Sequence, residues 1–311
     1  MQTITTHYIN GTFVESHGSE VMDIIKPTNR QMIARVTMAD EQDTKRAIAA
    51  AKSAFITFGR STREERTQIL RRLHQAASAR VDKLTAAMVE EYGGVVQFAG
   101  IIVQTGVSAF LAAEQALQEL PLTRNWGKTT VTLEPVGVAG LITAWNANTL
   151  FICLKLASAV AAGCTVVIKP SELSSLQTQV LVEALHEANL PKGLLNVVTG
   201  RGNVVGAELV RNPDVDKISF TGSVGVGKSI MRDGGGNHEA RHAGTGRQVA
   251  RDSARRCRSR PGDPVGPRHG FFEQRSSVRR GDSPPGAEEP ARCGEAGHMR
   301  RGARFCSWRS G

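Results

Sequence analysis

From residue 136 onward the chain alternates short apolar runs with amphipathic stretches, and no other feature restricts the fold as tightly. Residues 136–142, 165–168, 194–198 and 217–220 read as strands. Residues 150–162, 174–188 and 204–210 read as helices, with a further helix from about Val226. Gly163 closes the first of these helices, which is rich in small residues. Nearly continuous apolar strands joined through helices by short connections imply strands buried on both faces. The expected fold is therefore α/β, a Rossmann-like parallel sheet with helices on both faces. Such sheets bind ligands beyond the carboxyl ends of their strands.

Upstream, residues 7–37 read as short extended pieces with turns at Asn10-Gly11 and Lys26-Pro27. A helix is expected over 41–55, with Ala47, Ile48, Ala51 and Phe55 on one face. Thr62-Arg63-Glu64-Glu65 is a capping box that opens a second helix, with Ile69, Leu70, Leu73 and Ala77 inward. More helix is expected to Tyr92, stopped by Gly93-Gly94, and again over about 97–119.

Composition divides the 311 residues near Asp233. Residues 234–311 hold 16 of the 39 Lys and Arg, all Arg, and 8 of the 29 Asp and Glu, so they carry +8 of the formal +10. They also hold 14 of the 32 Gly and no Leu, Ile or Tyr. Such a segment has too little apolar surface to offset the entropy of ordering, so a disordered tail is expected after a 1–233 domain whose sheet is incomplete. No run reads as long enough to span a membrane, and the N-terminus lacks a charged-then-apolar leader pattern. Five cysteines (153, 164, 257, 293 and 306) lack paired metal spacing, and their odd number suggests reduced thiols and a cytoplasmic location. Cys153 and Cys164 lie in apolar runs and read as buried small hydrophobes.

The residues that follow each strand are the ones suited to ligand chemistry. Thr143-Ala144-Trp145-Asn146 follows the first, Lys169-Pro170-Ser171-Glu172 the second, and Thr221-Gly222-Ser223 with Gly225 and Gly227 the fourth. A lysine and a glutamate three residues apart can both reach a ribose. The glutamate suits a free 2′-hydroxyl and repels a 2′-phosphate, which favours NAD over NADP. Glycines before a helix let backbone N–H groups approach a pyrophosphate. Any one of these could be a solvated turn, but three at successive strand ends make coincidence a poor explanation.

In these residues the chain resembles the aldehyde dehydrogenase superfamily. Glu134-Pro135-Val136-Gly137-Val138, Trp145-Asn146, the run from Ala161 to Glu172, Pro213-Asp214-Val215-Asp216-Lys217 and Phe220-Thr221-Gly222-Ser223 match its motifs in order. Tyr8-Ile9-Asn10-Gly11, the run from Ala47 to Phe55 and Glu65-Arg66 match its N-terminal region, so the resemblance covers about residues 7–232. It implies oxidation of a small-molecule aldehyde to its acid with NAD, in a homo-oligomer. It implies that Asn146 donates a hydrogen bond to the oxyanion. It further implies a cofactor-binding set of Ile142, Thr143, Ala144, Trp145, Asn146, Lys169, Ser171, Glu172, Gly202, Gly206, Phe220, Thr221, Gly222, Ser223 and Gly227. Ala144 and Ala147-Asn148 stand where the family usually has a proline and an aromatic-proline pair.

Two other readings compete. Gly222 to Ser229 also satisfies the P-loop pattern G-x-x-x-x-G-K-[ST], with Lys228 for the phosphates and Ser229 for Mg²⁺. An NTPase of that kind needs a later apolar strand ending in Asp, and residues 234–311 contain no Leu or Ile to build one. The Arg pairs 255-256, 279-280 and 300-301 could bind nucleic acid through phosphate, though aromatic residues for stacking are few.

The chemistry implied by the resemblance needs a thiolate nucleophile and a glutamate base, within motifs of the type Leu-Glu-Leu-Gly-Gly-Lys and Asn-x-Gly-Gln-x-Cys. Neither motif is present. Arg, Gly, Pro, Ala and Ser excess without Leu, Ile or Lys is what a GC-rich gene yields in the wrong frame. Codons allowed for residues 238–250, read from the second base, can spell Met-Lys-Arg-Val-Thr-Leu-Glu-Leu-Gly-Gly-Lys-Ser. Those allowed for 269–282 can spell Met-Gly-Phe-Leu-Asn-Ser-Gly-Gln-Ala-Cys-Ala-Ala-Gly-Thr. The glutamate begins in the codon of Gly244 and the cysteine in that of Val278, 34 codons later. Two motifs in one shifted frame, in order, point to a one-base slip near Asp233 and to a chain without turnover.

Overall fold

Asn10 and Gly11 both take positive φ, 54° and 82°, the geometry in which a two-residue loop joins strands of matching twist. The hairpin it closes begins a computed structural model that describes residues 2–234 and the backbone of 240–245. All of these belong to the unit Met1–Ser276; a second unit, Ser277–Gly311, lies outside the described residues. In chain order the elements are β1 (Gln2–Ile4), β2 (Thr6–Ile9), β3 (Thr12–Glu15), β4 (Val21–Ile25), β5 (Met32–Thr37), α1 (Glu41–Phe58), α2 (Arg63–Ser78), α3 (Val81–Tyr92) and α4 (Val96–Glu119). There follow β6 (Thr123–Trp126), β7 (Thr129–Thr132), β8 (Val138–Ile142), α5 (Asn148–Ala161), β9 (Thr165–Lys169), α6 (Ser175–His186) and β10 (Leu195–Val197). The last are α7 (Ala207–Arg211), β11 (Lys217–Gly222), α8 (Val224–Asp233) and β12 (Ala240–Thr245).

The main sheet has the order β12-β11-β8-β9-β10-β2-β3. Its first five strands are mutually parallel, as the alternating pattern requires. The β2–β3 hairpin adds two antiparallel strands at the β10 edge, so the sheet is mixed rather than wholly parallel. That pairing satisfies an edge that would otherwise expose unpaired backbone groups, and Asn10 N–H donates to Asn196 Oδ1 at 2.9 Å to hold it. A three-stranded sheet β1-β5-β4 and a two-stranded ribbon β6-β7, the latter not anticipated from sequence, complete the β structure of the described residues.

Successive residues of the buried strands divide between two cores, as side-chain alternation dictates. Leu141, Val166, Ile168 and Val197 face a layer holding Leu70, Phe110, Leu156 and Leu181, from α2, α4, α5 and α6. Val138, Val167, Ile218 and Phe220 face Ala47, Ile48, Leu209 and Ile230, from α1, α7 and α8. Helices thus cover both faces. The capping box at Thr62 is present: its hydroxyl accepts from Glu65 N–H at 3.2 Å, and Glu65 Oε2 accepts from Thr62 N–H at 2.7 Å.

Three expectations change. Helix α4 is long and apolar enough to cross a membrane by length and composition, with mean hydropathy 1.6, contrary to the reading that no run is. Its buried side chains, among them Val103, Val107 and Phe110, belong to the core shared with α2 and α5, whereas Val96, Phe98, Ile101 and Leu111 on the same helix are exposed. The segment expected as a short helix over 204–210 is a π-helical turn at Gly202–Gly206 running into α7. The tail expected to be disordered from 234 contains β12, whose backbone pairs in parallel with β11. The remainder of that expectation, with the tail arginine pairs and Cys257, Cys293 and Cys306, lies outside the described residues.

Candidate functional site

Strands β11, β8 and β9 are neighbours in the sheet and run in the same direction, so their carboxyl ends share one edge. The chain leaves β8 towards β9 and β10 on one side and later returns to β11 on the other. That reversal makes the β8–β11 boundary a topological switch point, where open α/β sheets leave a crevice. The three sequence motifs are therefore gathered by topology on one edge.

At the end of β8, Ile142 and Thr143 are buried, Ala144 is half-buried, and Trp145 and Asn146 are exposed. Thr143 N–H donates to Lys169 O at 3.2 Å, which ties this loop to the end of β9. The departure at Asn148 acquires a purpose. Its side chain is fully buried, accepts from Thr143 Oγ1 at 3.0 Å, and donates to Thr178 Oγ1 at 2.8 Å and Ser174 O at 3.4 Å. At roughly 1 kcal/mol for each net hydrogen bond, these contacts anchor the loop that presents Asn146. The Tyr92 ring lies 5.3 Å from that of Trp145 and braces it from α3.

At the end of β9, Lys169 Nζ is buried and donates to Glu172 Oε2 at 2.9 Å and to Pro170 O at 3.1 Å. Burial raises the Glu172 pKa, but Lys169 and then Arg201 outweigh it and hold the carboxyl below its ordinary value. Ser171 is half-buried, and its hydroxyl accepts from Leu173 N–H at 3.3 Å, so it shapes the turn that aims Glu172. Gly202 and Gly206 begin and end the π-helical turn after β10.

At the end of β11, Phe220 is buried in the core, Thr221 and Gly222 are half-buried, and Ser223 caps α8 by accepting from Val226 N–H at 3.4 Å. The glycine loop is shorter than sequence suggested. Helix α8 is already formed at Val224, which places Gly225 and Gly227 in its opening turns and buries Gly227. A P-loop needs the stretch between its first glycine and its lysine to wrap a phosphate, and here that stretch is helical. Lys228 is exposed on α8, and Ser229 Oγ donates to Asp233 at 3.2 Å. The P-loop reading is left without support.

A Cβ added at Gly202, Gly206 or Gly225 would meet nothing within 4 Å, so the backbone beside these strand ends is open to a ligand. The donors, the carboxylate and the N-terminus of the ten-residue α8 suit an anionic dinucleotide.

The same arrangement occurs in proteins of known class. The aldehyde dehydrogenase family matches residues 13–246. The chain belongs to the aldehyde dehydrogenase family. A Staphylococcus epidermidis protein carrying an aldehyde dehydrogenase name is 36% identical over 232 residues, 74% of this chain and 49% of that protein. The 3-succinoylsemialdehyde-pyridine dehydrogenase of a Pseudomonas species is 34% identical over 232 residues, again 74% and 49%. Among solved structures, an aldehyde dehydrogenase of Bartonella henselae superposes with a TM-score of 0.76 at 29% identity, covering 79% of this chain and 52% of its own. A mutant aldehyde dehydrogenase C of Pseudomonas syringae, complexed with NAD⁺ and octanal, gives 0.76 at 32% identity, covering 78% and 50%. The chain spans about half the length of the curated relatives it matches.

Two charged residues beside this aldehyde dehydrogenase edge carried no sequence signal. Lys155 on α5 donates to Ser219 Oγ on β11 at 2.7 Å, and burial pushes its pKa down to about 8. Arg201 reaches Glu172 from beyond β10. A lysine in an amphipathic helix ordinarily reads as exposed; only its facing strand shows that it is half-buried. The described cysteines, Cys153 and Cys164, are both buried. Burial pushes the Cys153 thiol up to about 12 and raises that of Cys164.

Proposed function

We propose that residues 2–234 are the cofactor-binding half of an NAD-linked, aldehyde-oxidising site, and that this chain has no turnover of its own. The observation that carries the first part is the common edge of β11, β8 and β9, with Ser223, Asn146 and Glu172 at its three strand ends. Glu172, fixed by Lys169, would accept from a ribose hydroxyl, and Lys169 would donate to the same sugar. The first-turn N–H groups of α8 would hold the pyrophosphate. The Asn146 amide, exposed on its anchored loop, would donate to an oxyanion formed from the aldehyde carbonyl. NAD, when bound, would supply the hydride acceptor. The NAD⁺ in the Pseudomonas syringae structure, and in a Staphylococcus aureus betaine aldehyde dehydrogenase of TM-score 0.74, supports that choice.

The absence of turnover rests on the nucleophile. A thiol held near 12 is almost wholly protonated at neutral pH and is a poor attacking group, so Cys153 does not serve. The slipped-frame reading gains support from β12. The codons of Ala240–Thr245, read one base on, can spell Arg-Val-Thr-Leu-Glu-Leu, and Gly244, where that glutamate begins, pairs with Thr221 at the end of β11. A base there would stand beside the proposed cofactor edge.

Titration of the full chain with NAD⁺, read by calorimetry, tests the first part. Saturable binding weakened at least tenfold by Glu172→Ala is expected; no binding at all would refute the cradle. NADH production from any aldehyde by the purified chain would refute the second part. An independent read of the gene across codons 228–245 tests the frame slip directly.

A further inference from the structure

The carboxylate proposed to face the ribose does not stand alone. Lys169, Glu172, Arg201 and Glu20 form a line of alternating charge. Lys169 Nζ is 2.9 Å from Glu172 Oε2, Arg201 Nη1 is 3.9 Å from Glu172 Oε1, and Arg201 Nη2 is 2.7 Å from Glu20 Oε1. Arg201 Nε also donates to Glu20 Oε1, at 2.8 Å. Side-chain exposure rises along the line, from 5% at Lys169 through 21% and 39% to 52% at Glu20. The guanidinium is therefore hydrogen-bonded to Glu20 and only within Coulombic reach of Glu172.

The meeting of Glu20 and Arg201 is fixed by backbone. Met38 N–H donates to Glu20 O at 2.7 Å, and the next residue, Ala39, donates to Thr199 O at 2.8 Å and bridges to Gly200. Arg201 O accepts from Val205 N–H at 2.9 Å and from Val204 N–H at 3.2 Å, so its main chain is pinned by backbone, while its side chain is held by Glu20. In dinucleotide sites an acidic residue accepts from a free 2′-hydroxyl, whereas a nearby arginine accommodates a 2′-phosphate. This chain has both, and a third residue holds the arginine.

We propose that Glu20, by tethering Arg201, sets the preference between a ribose with a free 2′-hydroxyl and one with a 2′-phosphate. The inference rests on the reading of Glu172 as the ribose-binding residue. With Glu20 in place, two of the guanidinium's nitrogens are engaged and the Glu172 carboxylate faces the sugar, so NAD is preferred. Without Glu20, the planar fork of Arg201 is available to phosphate oxygens, which it matches in charge and geometry.

The test titrates the full chain and its variants with NAD⁺ and with NADP⁺ by calorimetry. Circular dichroism checks that each variant is folded. Because the Glu20–Arg201 pair is largely exposed, the expected effects are modest, about fivefold. Glu20→Gln lowers the Kd for NADP⁺ by about that factor and leaves NAD⁺ within about twofold. Arg201→Gln raises the NADP⁺ Kd by a similar factor. The double variant matches Arg201→Gln alone, because Glu20 acts only through Arg201. A Glu20→Gln effect equal for both cofactors, or one that persists without Arg201, overturns the proposal while leaving the ribose reading intact. Failure of the unaltered chain to bind either dinucleotide overturns both.

Discussion

Glu91, at the end of α3, makes a contact whose pH dependence can be worked out in advance. Its Oε1 accepts from Leu176 N–H at 2.5 Å and its Oε2 from Gln177 N–H at 2.9 Å, so a carboxylate from one helix caps the start of α6, where Ser174 offers no side-chain cap. Burial raises the Glu91 pKa from 4.5 to about 7, and the two amide donors, which favour the charged form, do not cancel it. An acid whose folded pKa is raised binds more protons folded than unfolded. Its stabilising contribution is therefore complete below the unfolded value and is lost as pH rises through about 7. With these two values the contribution falls by about 2–3 kcal/mol between pH 5 and pH 8. Glu91→Gln removes the titration and sets an amide N–H₂ against one of the two backbone donors, costing about 1–2 kcal/mol at any pH. Urea unfolding of both proteins, followed by circular dichroism from pH 5 to pH 8, should show the wild-type advantage shrinking by about 2–3 kcal/mol as pH rises. An advantage constant with pH, or growing towards pH 8, would mean that the amide donors outweigh burial and would refute the reasoning.

Other outcomes follow from the same contacts. Asn148→Ala removes all three side-chain hydrogen bonds of the Asn146 loop and should cost about 2–3 kcal/mol in urea unfolding, with weaker NAD⁺ binding by calorimetry. Gly137→Ala should destabilise by at least about 2 kcal/mol, since its φ is +127° and an added Cβ would lie 1.9 Å from Asp216 Oδ2; thermal melting checks this. Cys153 should resist iodoacetamide in the native chain and react only after unfolding, as read by peptide mass spectrometry; rapid native alkylation would contradict its burial.

Local periodicity determined much of this protein. The apolar alternation after residue 136 needed only side-chain geometry, since a strand buried on both faces is nearly continuously apolar, as β8 is along its length and β9 is between Thr165 and Lys169 at its ends. The Thr62–Glu65 capping box and the Asn10-Gly11 turn were legible because each closes within a few residues. The strand-end motifs were legible because chain connectivity alone places them after strands. Tertiary structure decided what meets across distance. Glu91 and Leu176 are 85 residues apart, and Arg201 and Glu20 are 181 apart; no spacing rule links them. The order β11-β8-β9 makes neighbours of three strand ends that sequence gives only in succession. Lys155 looks like a solvated helix residue until β11 packs over it. The physical reason is range: dihedral preferences and side-chain periodicity act over a turn or two, whereas desolvation and charge pairing depend on what the folded chain brings alongside.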